Sequence, residues 1–217
     1  MNELGLGLLL FPEWYSLDSM ARMRFFDDNT RSWWTPATGG SNIPAVNELV
    51  APYGLAFGDT VVHGAVSIGT VHRTPYTSGT HLIKAPAGCQ ILSATLQDRT
   101  EGQTQATAKS ASYYVLSLLS HGSGRIALFG DSNCVDANHA SSHCHELLLD
   151  MFTWSTGGEQ PAWIDSLTML DSDLSVEGAE LPERPTPDLL QVVSHVLNNP
   201  AQCFLNSAVG MKEAVQV

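Results

Sequence analysis

The sequence predicts an α/β domain over residues 1–156 followed by an acidic segment over 157–217. A continuous apolar run from Leu4 to Phe11 reads as a strand covered on both faces of a mostly parallel sheet. Short β-prone pieces broken by glycine and proline fill residues 55–96, and a hairpin follows them. Further on, "CHELLLDMFTW" sets Leu147, Leu148, Met151 and Phe152 on one helical face.

After the first strand, "SLDSMARMRFF" reads as a short helix capped by Ser16 or Asp18. Pro36 and the Gly39-Gly40 pair mark a loop. Ser41 or Asn42 can then cap a helix that tolerates Pro44 in its first turn and ends near Pro52 and Gly54. Residues 98–110 are polar and read as an exposed loop, and "SASYYVLSLLS" joins "RIALFGD" through the glycine-rich link "HGSG". Beyond Trp154 the period is lost. Glycine, proline and acid then mix until Thr186 and Pro187 open a candidate helix over 187–199, stopped by Pro200.

Charge narrows the functional classes. The formal net charge is −12 with only ten Lys and Arg, which excludes the basic surface a nucleic-acid partner requires. Residues 157–217 carry nine acidic residues against Arg184 and Lys212, so seven of the twelve net charges lie there. The run from Leu4 to Phe11 is too short to span a bilayer, and Glu3 stands where a signal peptide would be basic.

The segment "RIALFGDSNCVDANHASSHCHELLLDMF", Arg125 to Phe152, gathers the chemistry-bearing residues. Ser132 after Gly130-Asp131, with Asp136 and His139 as Asp-x-x-His, is the pattern of a Gly-Asp-Ser esterase. Here His139 lies only seven residues on, and no Gly-x-Asn-Asp oxyanion block occurs. Cys134, His139, His143, Cys144 and His145 offer zinc ligands without the two spaced pairs of a structural site. A reactive thiol at a helix start is a third reading. The fourth is a disulfide between Cys134 and Cys144 across a strand-turn-helix corner. In that reading Asp131, Ser132 and Asn133 form a turn, the histidines face solvent, and the compartment is oxidising. Gly39 and Gly40 could cradle an anion, but turn formation and capping explain them. Trp33 and Trp34 form a candidate packing or binding surface.

The stretches "NELGLGLLLFPEWYSLDSMARMRFFDDNTRSWWTPATGGSNIPAVNELVAPYGLAFGD" and "GRIALFGDSNCVDANHASSHCHELL" resemble the region following the catalytic domain of membrane-bound transcription factor site-1 proteases, most closely the plant and algal members. The resemblance covers residues 2–156. It implies a Rossmann-like, glutamine-amidotransferase-like three-layer domain, N-terminally truncated because the family's domain begins before "NELG". Such a domain would act as a non-catalytic accessory to a subtilase in the Golgi or endoplasmic reticulum lumen, in a parent protein anchored to the membrane. Its implied partners are the subtilase catalytic domain and a lumenal protein. No Asp-Thr-Gly, His-Gly-Thr or Gly-Thr-Ser-Met-Ala of a subtilase triad occurs, so no catalytic residue, metal or cofactor carries over. The rival expectations are a stand-alone esterase or amidotransferase-like hydrolase using residues 130–145, and a small-molecule module at the sheet's C-terminal edge.

Overall fold

A computed structural model describes residues 5–69, 72–98, 110–136 and 142–184, with the backbone alone described at His72 and Ser142. His139, Cys203, the helix expected over 187–199 and most of the loop over 98–110 lie outside the described residues.

The chain opens with β1 (Gly7–Leu10) and α1 (Leu17–Arg22), whose N-cap is Ser16. A hairpin of β2 (Phe25–Asp27) and β3 (Ser32–Trp34) follows, and then α2 (Ile43–Val50), capped by Asn42. Next come β4 (Ala56–Phe57), β5 (Val62–Ile68), β6 (His72–Gly79), β7 (Leu82–Ala85), β8 (Gln90–Asp98), β9 (Ser110–His121) and β10 (Gly124–Phe129). A long helix α3 (Ser142–Ser155) and two short strands, β11 (Thr168–Met169) and β12 (Leu174–Ser175), complete the described part.

The main sheet runs β1-β10-β9-β8-β5-β6, with β7 branching from β9 and carrying β4 and β12, and β11 added to β8. Only β1 and β10 pair in parallel, Gly7 opposite Arg125 through Leu10 opposite Leu128; the other described pairs are antiparallel. The α/β class and its three layers are those expected, but the mostly parallel sheet is not. Parallel neighbours need long crossovers, whereas β5 to β10 contain no α-helix and β9 and β10 join through two residues. Gly122 makes that turn possible, its φ of 59° supplying the positive first position of a two-residue hairpin loop.

Two cores flank the sheet. One packs Leu147, Met151 and Trp154 of α3 on Val115, Ala127 and Phe129. The other packs Met20 of α1 and Ile43 and Val50 of α2 on Ile126 and Leu128. Successive residues of β1 and the residue after it divide between them: Leu8 and Leu10 lie against the second, Leu9 and Phe11 against the first. That division is why positions 8 to 11 are apolar without a break. In α3 the inward stripe is Cys144, Leu147, Met151 and Trp154, whereas Phe152, expected inside, is 55% exposed. The inward residues keep a spacing of three or four, and Phe152 falls off that line.

The body does not stop at 156. Trp163 and Ile164 are buried in the α3 core, β11 pairs Thr168 with Ile91, and β12 pairs Leu174 with Ala85. Contacts gather the chain up to Glu183 into one unit. The boundary drawn at 156 therefore falls inside packed structure. Two-residue strands carry no alternation to detect, and Pro161 and the acidic residues mask them.

Asn47, buried in α2, closes that helix onto β4. Its Nδ2 donates to the Phe57 carbonyl at 2.9 Å and its Oδ1 accepts from the Phe57 N–H at 2.8 Å. Asn47→Ala strands both backbone groups and should cost about 2 kcal/mol in urea unfolding. A change under about 0.5 kcal/mol would show that α2 docks by apolar packing alone.

Candidate functional site

The parallel pair β1 and β10 ends at one corner of the sheet, and the Gly-Asp-Ser segment turns there. Asp131 is fully buried. Its Oδ1 accepts from the Asn133 N–H at 3.0 Å, closing a local turn, and its Oδ2 accepts from the Thr77 N–H at 2.8 Å, tying that turn to β6. Asn133–Val135 form one 3₁₀ turn, and Cys134 inside it bonds Cys144 in the first turn of α3, with Cα atoms 5.5 Å apart. Both sulfurs are buried against the α3 core. Bonded to each other, they offer neither a thiolate nucleophile nor a metal ligand. His143 and His145 stand near the surface, His143 beside Glu146 at 3.4 Å.

Among the described residues no histidine meets Ser132. Its Oγ donates to Glu13 Oε2 at 3.2 Å. Glu13 Oε1 accepts from Asn133 Nδ2 at 2.6 Å and from Ser78 Oγ at 3.1 Å, while the Glu13 N–H donates to Ser41 Oγ at 2.8 Å. Glu13 thus joins the segment after β1 to the end of β6 and the turn after β10 through its carboxylate, and to the loop before α2 through its backbone N–H. A carboxylate already accepting three bonds is a poor base for a serine, and among the described residues Ser132 has no third group to orient a proton relay. Glu13 was not singled out by the sequence. It lies 119 residues from Ser132, and a lone Glu after an apolar run carries no local signal.

Gly39 and Gly40 belong to the same corner, as close-packing positions. A Cβ on Gly39 would strike the Trp14 carbonyl, and one on Gly40 would lie 2.6 Å from the Glu13 carboxyl carbon. The loop that could have cradled an anion holds the chain's own carboxylate instead, beside the start of α2, where negative charge is favoured.

Two other nucleophile candidates are also disarmed by burial. Cys89 is a free thiol within 3.1 Å of Ser117 Oγ, and burial pushes it up to about 11 despite that contact. Tyr76 donates its hydroxyl to the Thr80 carbonyl. Burial first, and then the Asp131 charge, push it well above the usual tyrosine value.

Trp33 and Trp34 fall on the β2–β3 hairpin, whose first strand takes in Phe25 and Phe26, expected at the end of a short helix. Phe25 pairs with Trp34 and Phe26 with Trp33 across the strands, and all four side chains are 43% to 63% exposed. Asp27 Oδ2 accepts from the Thr30 N–H and hydroxyl in the turn, and the hydroxyl bond above all holds the carboxyl below its usual value. Arg24 lies over the Trp33 ring at 5.1 Å, and the Phe26 and Trp33 rings meet edge-on at 5.6 Å.

Residues 1–168 match the family model described as MBTPS1, fourth GATase-like domain. The chain is 41% identical over 209 residues to the subtilisin-like protease SBT6.1 of Arabidopsis thaliana, covering 94% of this chain and 20% of that protein. It is 34% identical over 197 residues to the membrane-bound transcription factor site-1 protease of Homo sapiens and 35% identical to that of Mus musculus, in each case covering 89% of this chain and 19% of the relative. The chain thus spans about a fifth of the length of these curated relatives.

Proposed function

Because the chain belongs to the family described as MBTPS1, fourth GATase-like domain, we propose that it is a non-catalytic accessory domain of a site-1-protease-like subtilase. In this reading it supports the serine protease domain by packing against it through the β2–β3 hairpin. The observation that carries the proposal is the exposure of Phe25, Phe26, Trp33 and Trp34 on one small hairpin. Half-exposed tryptophans, fixed by cross-strand pairing and by the Trp34 Nε1–H bond to Thr30 at 2.8 Å, are rigid anchors of the kind that carry most of an interface's energy. Arg22, Arg24 and Arg31 stand in this region with Asp18, Asp27 and Asp28, so its charges are mixed and the aromatic side chains carry the reading. The relatives are proteases about five times as long, which supports a partner surface elsewhere in such a polypeptide.

The disulfide and the family together favour a secretory-pathway lumen. Among the described residues no helix is long and apolar enough to cross a membrane.

The test grafts this chain into full-length Arabidopsis SBT6.1 in place of the matching fifth. W33A/W34A should lower the graft's protease activity several-fold and the protease's thermal midpoint by several degrees. The same pair should shift the unfolding free energy of the separate chain by under about 1 kcal/mol, because the indoles are half in solvent. A graft whose activity and midpoint ignore W33A/W34A would remove the hairpin from the interface.

A further inference from the structure

A second surface carries its own signal, independent of the hairpin. The turn after β4, the start of β7, Tyr113 of β9 and the segment after β12 enclose a groove of about 420 Å³. Its walls are tied by backbone: Gly58 N–H donates to the His81 carbonyl at 2.9 Å, and Val176 N–H to the Ile83 carbonyl at 2.9 Å. Asp59, Glu177 and Glu180 line the groove, and no Lys or Arg stands among its lining residues.

His81 forms part of the floor. Only 6% exposed, its ring stacks on Tyr113 with centroids 4.8 Å apart, and its Nδ1 has no hydrogen-bond partner. Burial holds the imidazole down to about 4, against the pull of Asp98, so it is neutral at neutral pH and adds no positive charge to the groove. Asp59 is pushed above its usual value by desolvation, and next by Asp18, Glu180 and Asp98. Like charges crowd here beside Tyr113 and Val176. Among the described residues no three His, Cys, Asp or Glu converge closely enough to hold a metal ion, which leaves an organic cation as the fitting ligand.

We propose that this groove binds an arginine side chain from a basic segment of a partner protein. The aliphatic stem would lie along Ile83, Tyr113 and Val176, and the guanidinium would face Asp59, Glu177 and Glu180. A planar, weakly hydrated guanidinium suits aromatic walls better than a compact ammonium does. The neutral His81 floor leaves its charge unopposed.

The test titrates the full chain with Nα-acetyl-arginine amide at constant ionic strength, following the His81 imidazole and Tyr113 ring protons by NMR. Nα-acetyl-citrulline amide, of the same shape without the charge, is the control. Saturable shifts with a Kd in the millimolar range are expected for the arginine probe and not for citrulline. D59N/E180Q, at two exposed positions that leave the core intact, should weaken binding about tenfold. His81 signals that do not move, that move equally with citrulline, or that titrate unchanged in D59N/E180Q would each overturn the proposal.

Discussion

Breaking the Cys134–Cys144 bond should lower the unfolding free energy by about 3 kcal/mol, the loop-closure term for a bridge spanning ten residues. The effect acts chiefly on the unfolded chain, which gains freedom between the 3₁₀ turn and α3. In the folded state both sulfurs also fill space beside Phe129, Leu147 and Met151. C134A/C144A should therefore lose slightly more than reduction alone, because removing buried atoms leaves a gap. Urea unfolding with and without reductant measures the first quantity, and the double variant measures the second. Thiol labelling of the unreduced, denatured chain should leave Cys134 and Cys144 unmodified; labelling of both would rule the bond out.

The second large effect belongs to Glu13. Its carboxylate accepts from Ser132, Asn133 and Ser78, and charged acceptors are worth about 1.5–3 kcal/mol per bond when shielded. Partial exposure of Glu13 discounts the sum, so Glu13→Ala should cost about 3 kcal/mol and lower the thermal midpoint by roughly 10 °C. Glu13→Gln keeps the shape and should cost less, about 1 kcal/mol, because its amide oxygen can keep the bonds from Asn133 and Ser78 while the Ser132 hydroxyl rotates to accept from the new NH2. Equal losses in both variants would mean that packing against Gly40, and not hydrogen bonding, accounts for the residue.

Local signals in the sequence were readable where one element supplies its own pattern. Ser16, Asn42 and Gly54 mark their helix and turn ends, and the β9–β10 hairpin shows in its glycine link. The corner between strand and helix could be read from two cysteines ten apart. The β2–β3 hairpin was hidden because both of its strands are exposed and aromatic, so no polar and apolar alternation marks them. The direction of pairing in the sheet was misread from β1 alone. Its apolar run reports burial on two faces, which an outer strand between two cores also has. Glu13, β11 and β12 depend on partners tens of residues away, and such contacts leave no trace in local composition.

The Gly-Asp-Ser corner is expected to act as a clamp and not as a catalyst, and one paired measurement decides between the two. Hydrolysis of p-nitrophenyl acetate and urea unfolding are followed together for the wild type, Ser132→Ala and Glu13→Ala. A clamp predicts no turnover by the wild type above the Ser132→Ala background, a loss of about 3 kcal/mol for Glu13→Ala and about 1 kcal/mol for Ser132→Ala. Wild-type turnover that vanishes in Ser132→Ala, with Glu13→Ala as stable as the parent, would contradict it.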